Sequence, residues 1–467
     1  MNLSLRLYQH DIIAAIRAEY RHGAKAPLLQ SPTGSGKTVI YAYITEGAAK
    51  KNNRVLILEH RKELITQTSD ALFGFGVIHG IIAPGHSMTH DLVQVASVQT
   101  LIRRLDSIYP PDLIIIDEAH HAAAGSWSKI LSAFPNAKLL GVTATPLRLD
   151  GRGLGIKSGG FFDTLINGPT VNQLVEQGFL SPSVVYAPKT DLDLTGIRKR
   201  FGDFINSEIN ERIDKPSITG SAVEHYLKLC PGVPAIAFCA SVAHAEHVAA
   251  QFNTAGIPAR SIDGNMQDWE RKYCINGLTD GAYLVLCSCD LISEGTDIPR
   301  VATAIKLRPT ASFGLNKQQD GRVLRVFPGK DIAYILDHVG NVFRHGFPDD
   351  EIEWSLDGEK AGIRKANDSG INEFVQCENC YLVFHRSDPA CPECGWVRVP
   401  TIREIEEREG ELQELEKEKV RNHLKREVGK ARTKEELEAL AKQRGYKAGW
   451  VYNILRARER RDVVYDR

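Results

Sequence analysis

The sequence predicts an α/β chain built from two parallel-sheet domains in tandem, followed by a small four-cysteine module and a helical tail. Three observations carry that expectation. Short runs that are apolar throughout, such as Leu113-Ile114-Ile115-Ile116, alternate with helical patterns, and such runs belong to strands covered on both faces, as in parallel sheets. The alternation stops over a glycine-rich and then polar stretch from Gly151 to Lys215 and resumes near Ala235. Beyond Gly346 the chain turns polar, and two closely spaced Cys-x-x-Cys pairs follow.

In the first domain, residues 1–185, strands are expected around Leu28, Ile57, Val95, Ile115 and Leu140, with helices after Lys37 and after Lys62. Residues 186–220 read as a linker. The second domain, residues 221–350, repeats the alternation, with strands around Ala237, Ser261, Val285, Ile305 and Ile335. The four-cysteine module occupies 372–398. Residues 401–467 read as a helical, partly basic tail, charged to about Arg426 and then starting a new helix at the capping box Thr433-Lys434-Glu435-Glu436. Near its end, Arg444, Lys447 and Arg458 interleave with Tyr446 and Trp450. That pattern suits a strand gripped through phosphates and stacked bases, and equally a helical partner-binding segment.

Composition sets the outer limits. With 43% hydrophobic residues the chain can fill real cores. Lysine and arginine balance aspartate and glutamate, 58 against 58, so any grip on nucleic acid has to come from a local groove rather than a global basic excess. No apolar run approaches the roughly 18 residues of a membrane span, and Arg6, His10 and Asp11 do not fit a secretory leader. The nine cysteines suit a reducing cytoplasm better than a disulfide framework.

The chemistry concentrates at two points in the first domain. Ser31-Pro32-Thr33-Gly34-Ser35-Gly36-Lys37-Thr38 lies between a strand and a helix. Gly34 and Gly36 let backbone N–H groups close around phosphate oxygens, Lys37 adds a positive charge, and Thr38 offers a hydroxyl to Mg²⁺. Ser31 stands where G-x-x-x-x-G-K-[ST] has its first glycine. At the end of the Leu113–Ile116 run, Asp117 and Glu118 arrive at the carboxyl edge of the sheet. Asp117 would hold Mg²⁺, directly or through water, and Glu118 would act as general base on the attacking water.

Cys377, Cys380, Cys391 and Cys394 form two pairs, each spaced to bite one metal, and four thiolates close a tetrahedral structural Zn²⁺ site. An iron–sulfur cluster or two disulfides are the alternatives. The module would either hold nucleic acid or cap the second domain.

Together these residues resemble the superfamily 2 helicases of the DEAH type, over most of the first 340 residues, and with the cysteine module the chain is most similar to the bacterial RadD-like branch. The resemblance implies two RecA-like domains with ATP between them. It makes Arg6 and Gln9, in Leu5-Arg6-Leu7-Tyr8-Gln9, adenine contacts, and it makes Thr143-Ala144-Thr145 the segment coupling hydrolysis to domain movement. Gln318-Gln319-Asp320-Gly321-Arg322-Val323-Leu324-Arg325 matches Q-x-x-G-R-x-x-R, with Gln318 at the nucleotide, Arg322 on the γ-phosphate and Arg325 as the transition-state arginine, the two arginines sharing a helix face. Gly295 and Asp297 would approach the nucleotide, the latter at the ribose. Arg61, Ser97, Thr100 and Ser288 would meet a nucleic-acid backbone. The implied activity is ATP-dependent translocation or unwinding, with DNA favoured in repair, replication or recombination. RNA remodelling and a nucleotide-switched subunit of a defence or restriction assembly are the other readings. Partners would be nucleic acid and a single-strand-binding, repair or defence protein, with no membrane.

Overall fold

The computed structural model describes residues 4–122, 125–148, 151–187, 194–200, 202–205, 208–209, 216–289, 298–358, 374–397, 433–434, 437–438 and 451. Seven parallel strands form the first sheet: β1 (Pro27–Gln30), β2 (Val55–Glu59), β3 (His79–Ile82), β4 (Val93–Ser97), β5 (Leu113–Ile116), β6 (Lys138–Thr143) and β7 (Thr164–Asn167), in the order β3-β4-β2-β5-β6-β1-β7. The register sets Leu29 beside Val142 and Leu58 beside Ile116. Strands β1 and β2 are buried on every residue, which is why their sequences are apolar without alternation.

The second sheet has six parallel strands. β8 (Ser183–Tyr186) is followed by a small antiparallel hairpin, β9 (Lys199–Arg200) and β10 (Asp203–Phe204), and then by β11 (Ala235–Phe238), β12 (Ala259–Ile262), β13 (Val285–Ser288), β14 (Thr303–Lys306) and β15 (Ala333–Asp337). The order is β12-β13-β11-β14-β15-β8. The first-domain boundary at residue 185 thus falls inside an element of the second sheet, because β8 pairs with β15 in the register Val185↔Ile335. The sequence also gave no expectation for β3, β7 or β8. All three are short strands, and β3 and β7 close the two edges of the first sheet.

The four-cysteine module forms a hairpin, β16 (Phe374–Gln376) and β17 (Val383–His385), against β8. Tyr186 and Leu382 make an antiparallel bridge, and the Ala187 N–H donates to the Tyr381 carbonyl at 3.0 Å. Cys377, Leu382, Phe384 and Cys391 share one apolar cluster with Tyr186, Tyr226 and Leu336. The module therefore covers the open edge of the second sheet, whose unpaired N–H and C=O groups would otherwise be exposed. Of the two functions open to it, capping the second domain is the one its packing fulfils.

Contacts divide the chain into a unit of residues 1–396 and a unit of residues 397–467. Most of the expected helical tail lies outside the described residues. Among the described residues, no helix is long and apolar enough to cross a membrane.

Candidate functional site

The site grows from the carboxyl edge of the first sheet. β1 runs into the loop from Ser31, and helix Lys37–Ala49 leaves it. Gly34 and Gly36 sit at φ +86° and +78°, the left-handed region that a Cβ disfavours. A Cβ on Gly36 would also lie 2.6 Å from the Gln9 amide nitrogen. Ser31 is fully buried. Its hydroxyl donates to the Ser35 hydroxyl at 2.7 Å, and Gly168 clears the room, since a Cβ there would lie 2.7 Å from Ser31 Oγ. A serine thus fits where the motif has glycine because glycine stands opposite.

Lys37 donates to the carbonyls of Ser31 (3.1 Å) and Pro32 (3.3 Å). Its ammonium is pulled below its ordinary pKa by burial, held up by Glu118 and Asp117, and pushed down again by Arg322 and Arg325. Three cations and two carboxylates thus act on one another here, a charge arrangement fitted to a polyphosphate with a divalent cation.

Asp117 and Glu118 end β5 as expected. One Asp117 oxygen accepts the Glu118 N–H at 2.8 Å, and the other accepts the Tyr41 hydroxyl at 3.2 Å. Burial first, and then the Glu118 charge, push the Asp117 carboxyl up to about 6. Glu118 itself has φ +46°, a left-handed conformation rare for a residue with a side chain, costing on the order of 1–3 kcal/mol. The hydroxyl of Thr38 and the carboxylates of Asp117 and Glu118 are hard oxygen donors, the set Mg²⁺ takes. Thr38 and Asp117 both interact with the Tyr41 phenol, so the two expected ligands share one neighbour.

The second sheet reaches this site through helix Phe313–Val323. Gln318 Nε2 lies 3.3 Å from His120 Nε2, His120 Nδ1 lies 3.0 Å from Thr143 Oγ1, and the Thr143 hydroxyl donates to the Thr145 carbonyl at 3.0 Å. With the Thr143 proton used on Thr145, the chain runs one way: Gln318 N–H to His120 Nε2, then His120 Nδ1–H to Thr143. Gly321 abuts the phosphate loop so closely that a Cβ on it would lie 2.5 Å from Thr33 Cβ. A cavity of about 280 Å³ opens between the sheets and is lined by Pro32, Thr33, Thr145, Lys317, Gly321 and Trp354, among others.

Arg322 lies on that helix, but Arg325 does not share its face. The helix ends at Val323, and Arg325 pairs with Leu180 as an isolated bridge. The Ser181 N–H captures the Leu324 carbonyl at 2.7 Å, which pulls the chain straight after the helix. Arg325 still reaches the loop, because a Cβ on Gly34 would lie 3.4 Å from its Cγ, and burial lowers its guanidinium to about 10.

Other expectations meet different outcomes. The Gln9 amide donates to the Ser35 carbonyl at 3.3 Å, while the Arg6 guanidinium lies over the Phe179 ring at 4.1 Å. Gln9 thus sits at the loop, and Arg6 connects to it through Tyr8, whose hydroxyl accepts from Arg6 at 3.2 Å and donates to the Ser35 carbonyl at 2.6 Å. Gly295 and Asp297 lie outside the described residues. Ser97 Oγ donates to Gln99 Oε1 at 2.8 Å, and the Gln99 amide reaches the His60 carbonyl at 3.4 Å, so Ser97 and Arg61 belong to one surface at the ends of β4 and β2. Thr100 follows in helix Val98–Leu101. Ser288, only 1% exposed, is buried at the end of β13 rather than on that surface.

Tyr41 and Glu59 were missed at the sequence level. Tyr41 falls four residues after Lys37, on the same helix face. Glu59 is an acid closing an otherwise apolar strand, and the register puts it beside Asp117. Burial and the Asp117 charge push its carboxyl well above the usual range. Leu180 and Phe179 carry no local signal, since only the fold brings them to the loop.

The ligand atoms of Cys377, Cys380, Cys391 and Cys394 all lie within 4.8 Å of one another, with Cys377···Cys394 at 3.4 Å and Cys380···Cys391 at 3.6 Å. A tetrahedral zinc with sulfurs at about 2.3 Å needs edges of about 3.8 Å, so the cluster fits the ion. All four are free cysteines rather than disulfides. Hydrogen bonding, first from the Trp396 backbone and then from Asn379, holds the Cys394 thiol down to about 6, and the Asn379 N–H donates to Cys377 Sγ at 3.4 Å.

Residues 2–148 match the family described as type III restriction enzyme, res subunit, and residues 221–327 match the helicase conserved C-terminal domain. The "51.5 kDa protein" of a Lactococcus phage (isolate 7-9) is 35% identical over 397 residues, covering 84% of this chain and 83% of that protein. The "Putative ATP-dependent helicase IRC3" of Saccharomyces cerevisiae is 30% identical over 358 residues, 72% of this chain and 51% of the yeast protein, so the chain spans about half of that relative. Among solved structures, a fragment of a "putative HsdR subunit of a type I restriction enzyme" from Vibrio vulnificus YJ016 shares the fold, with TM-score 0.58 and 24% identity over 76% of this chain and 69% of the fragment. These relatives are IRC3-like and HsdR-like, not specifically of the RadD-like, DEAH-type branch that the residues 117–120 and the cysteine module suggest. With the phosphate loop and acidic pair on one sheet and the arginine motif on the next, the chain belongs to the superfamily 2 helicases, in one family with the phage protein.

Proposed function

We propose that the chain is an ATP-dependent nucleic-acid motor that translocates along or unwinds DNA. The observation that carries the reading is the split site. Helix Phe313–Val323 of the second sheet lays Gln318 on His120 and Gly321 on Thr33 of the first. Such a site is complete only when the two domains abut, so closing and opening can follow binding and hydrolysis.

Each residue then has a task. Backbone N–H groups of the loop and Lys37 hold the phosphates, and Arg322 and Arg325 neutralise charge that develops in transfer. Glu118 takes the proton of the attacking water. Its left-handed backbone, fixed by the Glu118 N–H bonded to Asp117, aims the carboxylate. Magnesium, when bound by Thr38 and Asp117, would neutralise phosphate charge. Arg6 and Gln9 flank the loop at the base end, and Gly295 and Asp297 would complete the ribose side. Arg61, Ser97 and Thr100 would contact phosphates without reading bases. Zinc would hold the four-cysteine module closed over β8.

DNA is favoured because the matched family is named for restriction and the structural neighbour for a restriction subunit. The setting that goes with this reading is repair, replication or recombination in the cytoplasm, with a single-strand-binding, repair or defence protein as partner. The test is ATP turnover with single-stranded DNA, duplex DNA or RNA at fixed salt. Stimulation by DNA of tenfold or more, on the order expected when a cofactor completes a site, supports the reading. Stimulation by RNA alone would replace DNA with RNA, and no stimulation would reduce the chain to a nucleotide switch.

A further inference from the structure

We propose that Tyr41, backed by Thr68 and Glu59, is a positioning residue that holds the Asp117 carboxylate and the Thr38 hydroxyl in place for magnesium. The proposal rests on the ATPase reading. Tyr41 is fully buried on helix Lys37–Ala49. Its hydroxyl lies 3.2 Å from Asp117 Oδ2, 2.7 Å from Thr68 Oγ1 and 3.4 Å from Glu59 Oε1, and it also interacts with Thr38. Thr68 Oγ1 also lies 2.7 Å from Glu59 Oε1. One phenol thus joins the helix behind the phosphate loop to the ends of β2 and β5 and to helix Lys62–Gly74.

The effect on Asp117 follows from counting its contacts. Oδ1 is held by the Glu118 N–H and Oδ2 by the Tyr41 hydroxyl. A carboxylate fixed at both oxygens cannot swing about its last torsion, and Mg²⁺ tolerates little departure from octahedral geometry. The phenol has one proton; given to Asp117 Oδ2, it leaves the phenol oxygen to accept the Thr68 hydroxyl, 2.7 Å away, and the two contacts fix the hydroxyl between them. Glu59 Oε1 lies within hydrogen-bonding distance of both hydroxyls, and its second oxygen is buried without a hydrogen-bond partner. A carboxyl placed in this way backs the Thr68 and Tyr41 hydroxyls from behind the acidic pair. Groups behind metal ligands commonly set affinity by 10–100-fold.

The test measures binding of a fluorescent ATP analogue in Mg²⁺ and in EDTA. For Tyr41→Phe, the factor by which Mg²⁺ strengthens binding should fall about tenfold, while binding in EDTA stays within about twofold of wild type. An unchanged factor overturns the proposal, and so does an equal loss with and without Mg²⁺, which would mark a merely structural hydroxyl. If Tyr41→Phe does not fold, Thr68→Val answers instead. A reduced Mg²⁺ factor supports the relay, and a wild-type factor refutes it. Failure of the wild-type protein to bind the analogue at all would instead sink the ATPase reading, so the two failures are distinguishable.

Discussion

Gly321→Ala is the sharpest perturbation of the interface between the sheets. The glycine has no special backbone angle to protect, and its need is purely spatial. An added Cβ would lie 2.5 Å from Thr33 Cβ and 3.0 Å from each of its branches. Ordinary carbon contacts need about 3.5–4.0 Å, so the helix must retreat by roughly 1–1.5 Å from the phosphate loop. Such overpacking costs about 1–3 kcal/mol, too little to unfold either domain. The catalytic cost is larger, because Arg322 lies next in sequence and retreats with it, and a misplacement of about 1 Å is worth on the order of 10²-fold in rate. Steady-state ATP turnover should therefore fall about a hundredfold, with nucleotide affinity nearly kept and thermal unfolding little changed. The double variant Thr33→Gly with Gly321→Ala, which removes the opposing Cβ, should recover part of the loss. Wild-type turnover in Gly321→Ala would refute the closed geometry as the hydrolytic one.

Lys37→Ala should abolish turnover, and Glu118→Gln should bind ATP yet hydrolyse it about 10²–10⁴-fold more slowly; rapid single-turnover hydrolysis by either variant contradicts its role. Arg325→Ala should retain nucleotide binding but lose nucleic-acid-stimulated turnover, as a comparison of the two measurements would show. Lys306→Ala should destabilise the second domain by about 3–5 kcal/mol in urea unfolding, since it removes the cation 2.5 Å from the buried Asp320 carboxylate on the arginine helix and leaves it with the Asn316 amide at 3.1 Å; a loss below about 1 kcal/mol would mean that the Asn316 amide suffices. Purified protein should carry one zinc per chain, and stripping it should lower the thermal midpoint, because Cys377 and Cys391 lie in the cluster that also buries Tyr226; metal analysis without zinc would dismiss the ion.

What the sequence made legible follows from how local each signal is. The loop, the acidic pair and the four cysteines are contiguous or nearly so, and each has a backbone requirement that residue types alone reveal, as Gly34 and Gly36 show at positive φ. The central parallel strands were legible because burial on both faces removes polar residues, whereas the edge strands β3 and β7 are buried only in part. β8 was not, because its partner β15 is distant in sequence and its run Ser183-Val184-Val185-Tyr186 is only half-buried on two residues. Arg325 was expected on a helix because its spacing from Arg322 permits it, and only the Leu180 bridge, a contact across the fold, ends the helix first. The network behind Asp117 had partial signals. Tyr41 shares a face with Lys37, and Glu59 breaks an apolar run, but neither says that their oxygens meet.

The two domains touch at a second place, and its energetics bear on how a motor of this design would work. Beside Arg61, Lys62 pairs with Asp268, and Glu63 pairs with Arg271 at 3.1 Å, so the helix that follows the expected nucleic-acid contact is tied to the second domain. Lys62 and Asp268 are 71% and 57% exposed, and Glu63 41% against 19% for Arg271; a pair as open to water as the first contributes about 0–1 kcal/mol, and the second is still half in water. They can select a closed arrangement without holding it. The contacts at the nucleotide are of another kind: Gly321 against Thr33 and Gln318 on a buried His120 are tight and lost by small displacements. On the motor reading, the nucleotide therefore decides whether the domains stay together, and the ion pairs beside Arg61 follow that decision. A strand bound across them would add the stabilisation that the pairs lack, which is how nucleic acid could favour the hydrolytic geometry without touching the ATP site.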